Sequence, residues 1–352
     1  MSLSQVTADE ALKRLSEFDA VLDVRSPGEF ALDRMPGALN WPVLDDAERA
    51  RVGTLHVQTG AFEARRIGAA LVARNIAMHV EQHAQGWPKA FAPLVYCWRG
   101  GSRSGAMAHV LAQIGFRVHL VSGGYKALRA ALVRQINTLV PPLTFRVICG
   151  PTGSGKSRLL HALQAQGAQV LDLEMLAAHR GSVLGALQDE SQPSQKQFET
   201  RLWAVLRNLE PGLPVFIESE SKRIGKLQVP VALLERMHAS SCMRLEATVQ
   251  HRVRILLDDY AALTRDPAEL LSRLESLTEL RGKPTVARWR GLVEAGDFPS
   301  LVEELLAQHY DPSYGRSMAQ HYRDLMTSPT WQVDDASPAG FVQLAARILA
   351  QV

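Results

Sequence analysis

Phe145-Arg146-Val147-Ile148-Cys149-Gly150-Pro151-Thr152-Gly153-Ser154-Gly155-Lys156-Ser157 carries an apolar, strand-forming segment directly into a glycine-rich loop. The spacing Gly150-x4-Gly155-Lys156-Ser157 is that of a P-loop. Glycines there let successive backbone N–H groups converge on phosphate oxygens. A helix expected from Ser157 to Gln166 aims the positive end of its dipole at the same point. Lys156 supplies a mobile charge for terminal phosphates, and the Ser157 hydroxyl can join a magnesium shell. Gly150, Thr152, Gly153, Ser154, Gly155, Lys156 and Ser157 are therefore the expected phosphate-binding residues. A nucleoside triphosphate is the default ligand, and any pyrophosphate satisfies the same physics. A strand feeding such a loop, with a helix leaving it, implies a parallel α/β sheet.

A second loop lies upstream. Pro93-Leu94-Val95-Tyr96 reads as a buried strand running into Cys97-Trp98-Arg99-Gly100-Gly101-Ser102-Arg103, and a helical stretch from Ser104 to Ile114 ends at Gly115. A cysteine at a strand end, in a glycine-rich loop before a helix, meets loop N–H groups and a helix N-terminus that favour the thiolate, as do Arg99 and Arg103. Such a thiolate is a nucleophile, and a persulfide or perselenide on it would be held by the same dipoles. Cys149 and Cys242 fall inside apolar strands and read as small buried hydrophobes.

Further strands are expected at Ala20–Val24, Arg117–Val121, Ala168–Leu173, Pro214–Glu218 and Met243–Val249, with a helix over Phe62 to Gln82. The Pro141-Pro142 pair marks a boundary, because neither a helix nor a central strand continues through it. The expected organisation is an α/β domain over residues 1–136, a linker over 137–144, a P-loop domain over 145–250 and a helical C-terminal region over 251–352, helical to its end. Amphipathic stretches there are Arg252–Leu263, Ala268–Leu280 and Leu301–His309.

The bulk properties agree with several domains. The chain has 352 residues, 46% hydrophobic and 21% charged, with a net charge of +3, which describes a globular protein and gives weak evidence for nucleic acid. Three unpaired cysteines argue against a disulfide scaffold or a zinc site. No apolar run reaches membrane-span length, and Met1-Ser2-Leu3-Ser4-Gln5 lacks a secretory pattern, so a cytoplasmic location is expected. Asp172, Glu174 and Glu218 end strands beside the P-loop. They can complete a metal-linked or acid site, or simply cap the helices that follow. Magnesium is admitted, without a certain metal site and without a tightly bound cofactor.

Leu22-Asp23-Val24-Arg25-Ser26-Pro27-Gly28-Glu29-Phe30, Met35-Pro36-Gly37-Ala38-Leu39-Asn40, the Cys97 loop and Gly123-Gly124-Tyr125-Lys126-Ala127-Leu128-Arg129 together resemble a rhodanese domain. One departure is the Cys-x5-Arg spacing of Cys97 and Arg103, where many small rhodaneses have Cys-x4-Arg; the longer spacing is shared with cysteine-dependent phosphatases. A rhodanese domain joined to Gly-Pro-Thr-Gly-Ser-Gly-Lys-Ser is similar to the tRNA 2-selenouridine synthase family. Supporting strings are Ala178-His179-Arg180-Gly181-Ser182, Pro193 to Glu199, and Glu218-Ser219-Glu220-Ser221-Lys222-Arg223-Ile224-Gly225.

The resemblance implies a tRNA anticodon stem-loop carrying 2-thiouridine as substrate. It implies geranylation of the sulfur by geranyl diphosphate, then replacement by selenium from selenophosphate, which a selenophosphate-supplying enzyme would provide. Cys97, with Arg99 and Arg103, serves the second step, and the P-loop the first. Lys222, Arg223 and Lys226, and Arg288 and Arg290 within the run Arg281 to Arg290, are the expected tRNA contacts. For Trp289 two readings stand, stacking on a base or a place in the core on a helix whose charged end is solvated. Trp98 is expected to stack on a base, line a prenyl pocket or pack under its loop, and His179 and Arg180 are placed near phosphate or on the surface. A P-loop ATPase or kinase with a regulatory rhodanese domain, a cysteine phosphatase and a non-catalytic tRNA-binding module remain open alternatives.

Overall fold

Each of the two loops leaves the central strand of its own five-stranded sheet. In the computed structural model, which describes residues 2–182, 184–187, 190–322 and 325–351, the chain divides into two units. One comprises residues 1–136 with 199–204, the other 137–198 with 205–352.

The first sheet contains β1 (Ser2–Val6), β2 (Ala20–Asp23), β3 (Ala38–Asn40), β4 (Pro93–Tyr96) and β5 (Arg117–Val121), in the order β1-β5-β4-β2-β3. Every pairing is parallel, with Leu22 opposite Val95 and Val95 opposite Leu120. Parallel strands are buried on both faces and therefore read as apolar runs, which is why β2 and β4 stand out in the sequence, while β5 alternates the exposed Arg117 and half-buried His119 with apolar residues. β1 is largely exposed and polar, and β3 has three residues; neither carries such a run. The helix expected over Phe62–Gln82 is found at Ala61–His79, preceded by another at Asp46–Gln58 that Asp45 and Glu48 close with a reciprocal capping box. Leu22, Val24, Val95, Met107, Leu111 and Val118 form the core.

The second sheet is built from β6 (Thr144–Cys149), β7 (Gln169–Leu171) and β8 (Pro214–Glu218). After a small hairpin, β9 (Arg223–Ile224) and β10 (Leu227–Gln228), come β11 (Ser241–Glu246) and β12 (Thr330–Gln332). The order is β12-β11-β6-β8-β7, all parallel. The chain moves from β6 towards β7 on one side and to β11 on the other, so a crevice opens at the C-terminal end of β6, where such sheets bind ligands.

β12 corrects the expectation that the chain is helical to its end. This short polar strand has no pattern of its own, and its pairing with β11, Leu245 opposite Trp331, defines it. Around it the C-terminal region is helical. Val249–Asp259, Pro267–Glu275, Lys283–Glu294 and Phe298–Leu305 enclose a core of Leu263, Leu274, Trp289, Leu301 and Leu305. The last helix, Pro338–Leu349, packs Phe341, Leu344 and Ile348 against Leu159 and Leu163 of the P-loop helix Lys156–Ala165.

Cys149 is buried as expected, whereas Cys242 is only half-buried, near the end of the sheet. The β6–β11 register places them two positions apart on one face. The hydrogen-bonding Cys242 thiol and burial push Cys149 far above the ordinary thiol range, which suits a structural role. Among the described residues no helix is long and apolar enough to cross a membrane.

Candidate functional site

The Gly150–Ser157 loop needs its glycines. Gly153 and Gly155 lie at φ of 79° and 86°, in the left-handed region that side-chain-bearing residues avoid. A Cβ on Gly155 would meet the Phe341 ring at 2.3 Å. Arg252 braces the loop from behind: buried, it donates to the Thr152 carbonyl at 2.9 Å and forms a two-pronged pair with Asp311 at 2.5 and 3.0 Å. Lys156 Nζ donates to the Gly150 carbonyl at 2.8 Å, and the Ser157 hydroxyl donates to Glu174 at 2.9 Å. Gly153, Gly155, Lys156, Ser157 and Thr152 line a cavity of about 410 Å3, together with Arg180, Glu174, Glu220, Tyr260, Tyr310 and Tyr314. The Ser154 side chain is instead fully buried beneath the loop.

The strand-end acids divide into two roles. Asp172 caps the short helix Leu173–Ala177 through Met175 N–H at 2.7 Å and meets His161 at 3.1 Å. Glu218 also caps it, accepting from Leu173 and Glu174 N–H groups at 2.6 and 2.9 Å. These contacts match the helix-cap alternative, and neither acid lines the cavity. The acids that do are Glu174 and Glu220. Burial, and then the Glu174 charge, push Glu220 up to about 8 despite the opposing charge of Lys156. Burial likewise raises Glu174. Glu218 is raised well above the carboxylate range by burial and by Asp172, Glu174 and Glu220, which outweigh its two N–H donors. Beside the P-loop, then, Glu174, Glu218 and Glu220 are all raised by burial.

In the first unit, Cys97 is buried, 3% exposed, and accepts a hydrogen bond from the Ser104 hydroxyl at 3.0 Å. The Gly123–Lys126 segment clamps the loop: Tyr125 and Lys126 N–H groups donate to the Cys97 and Trp98 carbonyls at 2.7 and 3.0 Å. Gly124 is required for that approach, since a Cβ there would stand 2.3 Å from the Cys97 carbonyl oxygen. Arg99 is exposed, while Arg103 bonds Glu29 at 2.9 Å. Burial alone would raise Glu29, but the hydrogen bond and charge of Arg103 outweigh it and hold the carboxyl below its ordinary range. Arg103 therefore spends much of its charge on Glu29. Trp98 packs at 5.3 Å from the Tyr125 ring, and Tyr125 in turn covers the Arg25–Asp23 pair buried beneath the loop.

Of the expected RNA contacts, Lys222, Arg223 and Lys226 are exposed on the β9–β10 hairpin. Arg288 and Arg290 are exposed but paired with Glu304 and Glu275, and Arg281 is bound to His309 and Ser313. Trp289 is fully buried, which is the core placement of the two readings: Val286, Trp289 and Val293 form the inward face of their helix. Arg180 reaches the phosphate cavity, whereas His179 is buried away from it. The tyrosines of the cavity were not anticipated; the spacing of Tyr310 and Tyr314 on one helical face is their only trace in the sequence.

A parallel α/β unit presenting a cysteine loop, followed by one presenting a phosphate loop, defines a rhodanese–P-loop fusion. Two family models match the chain: "Rhodanese-like domain" over residues 7–131 and "tRNA 2-selenouridine synthase AAA domain" over residues 143–282. A protein of Marinobacter nauticus named tRNA 2-selenouridine synthase is 32% identical, the match covering 92% of this chain and 95% of that one. One of the same name from Shewanella denitrificans is 35% identical over 85% and 88% of the two chains. A third, from Nitrosomonas europaea, is 36% identical over 69% of this chain, which spans 64% of that relative's length. The chain belongs to the tRNA 2-selenouridine synthase family.

Proposed function

We propose that the protein converts 2-thiouridine at the wobble position of tRNA into 2-selenouridine, in two steps. In the first, the thiocarbonyl sulfur attacks the allylic carbon of geranyl diphosphate, pyrophosphate leaves and the base gives up its N3 proton. In the second, the selenium of selenophosphate adds to C2 of the base, geranyl thiol departs, and water cleaves the P–Se bond to release orthophosphate. Alkylation is useful because a thiocarbonyl sulfur leaves poorly, whereas a protonated thiol leaves well.

The observation that carries this reading is the presence in one chain of a phosphate cradle and a braced cysteine loop. Loop N–H groups and Lys156 are suited to the charge that develops on departing pyrophosphate. Glu174 and Glu220, both raised by burial and Glu220 to about 8, suit the uptake of the N3 proton and its return to the leaving thiol. A magnesium ion carried by the diphosphate would find the Ser157 hydroxyl and Glu174 as partners and would neutralise phosphate charge. Among the described residues no group of three or more His, Cys, Asp or Glu forms a cage for a metal. Cys97 serves the second step as a nucleophile in the exchange, its thiolate displacing geranyl thiol at C2 and being displaced in turn by selenophosphate, supported by Ser104 and Arg99. The exposed cations of the β9–β10 hairpin suit an RNA backbone. A selenophosphate-supplying enzyme is the implied partner, and the cytoplasm, where tRNA resides, the implied location.

The test is mass spectrometry of a 2-thiouridine anticodon stem-loop incubated with the protein and geranyl diphosphate, with and without selenophosphate. A geranyl adduct in the first case and a selenium-for-sulfur exchange in the second are expected. An RNA whose mass never changes, with robust ATP turnover instead, would refute the reading in favour of a P-loop ATPase.

A further inference from the structure

A second cavity adjoins the phosphate chamber and shares Thr152, Leu256, Tyr260 and Tyr310 with it. Its remaining wall is formed chiefly by Leu263, Phe298, Leu301, Val302 and Leu305. Three polar groups at its edge are engaged. The Thr264 hydroxyl donates to the Ala261 carbonyl at 3.0 Å, the Thr152 carbonyl accepts from Arg252, and the Tyr260 hydroxyl meets Ser182 at 3.0 Å. A nucleoside would bring a ribose and a base that need donors and acceptors, and the wall of this slot is chiefly hydrocarbon. It is also narrow, about 50 Å3 against about 410 Å3 for the chamber beside it.

We propose that this slot receives the distal end of the hydrocarbon tail of an allylic diphosphate whose phosphates sit on the Gly150–Ser157 loop, and that Leu256, Val302 and Leu305 set the tail length. The assignment of an allylic diphosphate rests on the function proposed above; the position of its tail rests on the continuity of an apolar slot with a phosphate cradle. A five-carbon tail ends inside the larger chamber. A ten-carbon tail reaches the slot, where each buried methylene adds affinity.

The experiment is calorimetric titration of the full-length protein with pyrophosphate, dimethylallyl diphosphate and geranyl diphosphate, alongside transfer to 2-thiouridine RNA. Geranyl diphosphate should bind about tenfold tighter than the dimethylallyl compound. Val302→Trp, at a half-buried position, should abolish that difference while leaving pyrophosphate affinity within about twofold of wild type. Leu256→Phe, a milder filling of the same slot, should reduce it. Equal affinities for the two prenyl donors, or a difference unmoved in both variants, would overturn the proposal even if transfer occurs. Tail-dependent binding lost in Val302→Trp, with no transfer to RNA, would sustain the slot and sink the proposed function instead.

Discussion

Gly155→Ala tests how tightly the phosphate loop is locked to the C-terminal helix. At φ 86° an alanine costs about 1–2 kcal/mol in backbone strain. Its Cβ would stand 2.3 Å from Phe341 Cζ and 2.7 Å from Cε1. Phe341 is 2% exposed and belongs to the core cluster under the loop, so the ring has little room to retreat, and overpacking adds about 1–3 kcal/mol. The total is about 2–5 kcal/mol, a fall of about 5–20 °C in the melting temperature of a unit this size. Phe341→Leu alone should cost about 1 kcal/mol. The double variant should recover the overpacking share, about 1–3 kcal/mol, while retaining the backbone strain. Denaturant unfolding of the four proteins gives the coupling energy directly. Strict additivity, or a Gly155→Ala protein as stable as wild type, would refute the proposed lock.

Other expectations follow from the same geometry. The folded Glu220 carboxyl keeps its proton up to about 8 and the unfolded one releases it near 4.5, so its contribution is fully present below 4.5 and is lost as pH rises through that window. Glu220→Gln should flatten the fall in melting temperature across it, and an unchanged pH profile would count against a buried protonated acid. Ser104→Ala removes the hydroxyl that donates to Cys97 Sγ; alkylation of Cys97 by iodoacetamide should slow about tenfold, as mass spectrometry can follow. Replacing Lys222, Arg223 and Lys226 together by alanine should weaken stem-loop binding and reduce its dependence on log salt concentration by about 2; an unchanged slope would remove the hairpin from the RNA interface.

The two loops were legible because their conformations are written locally. Gly153 and Gly155 must take positive φ, Gly124 must admit the Cys97 carbonyl, and the strands before each loop are buried on both faces. The helices Lys156–Ala165 and Ser102–Ile114 fall where loop chemistry places them. What lay hidden depends on partners distant in sequence. β12 exists because β11 offers an edge, and Tyr260, Tyr310 and Tyr314 reach the phosphate chamber only once the helical layer has packed. Asp172, Glu174 and Glu218 were visible as strand-end acids with capping as an alternative, but nothing local separated Glu174, which lines the chamber, from the two caps, and Glu220 carried no periodic signal. For Trp289, just inside the end of the run Arg281 to Arg290, the core placement was visible as one of two readings, and the face it shares with Val286 and Val293 decides it.

The most direct test of the account compares wild type, Lys156→Ala and Cys97→Ala on one 2-thiouridine stem-loop supplied with geranyl diphosphate and selenophosphate, by time-resolved mass spectrometry. If the P-loop serves the first step and the cysteine loop the second, Lys156→Ala leaves the 2-thiouridine unmodified or slowed by at least about tenfold. Cys97→Ala accumulates the geranylated RNA without selenium. Normal selenation by Cys97→Ala, or geranylation by Lys156→Ala at the wild-type rate, would contradict the division of labour between the two loops.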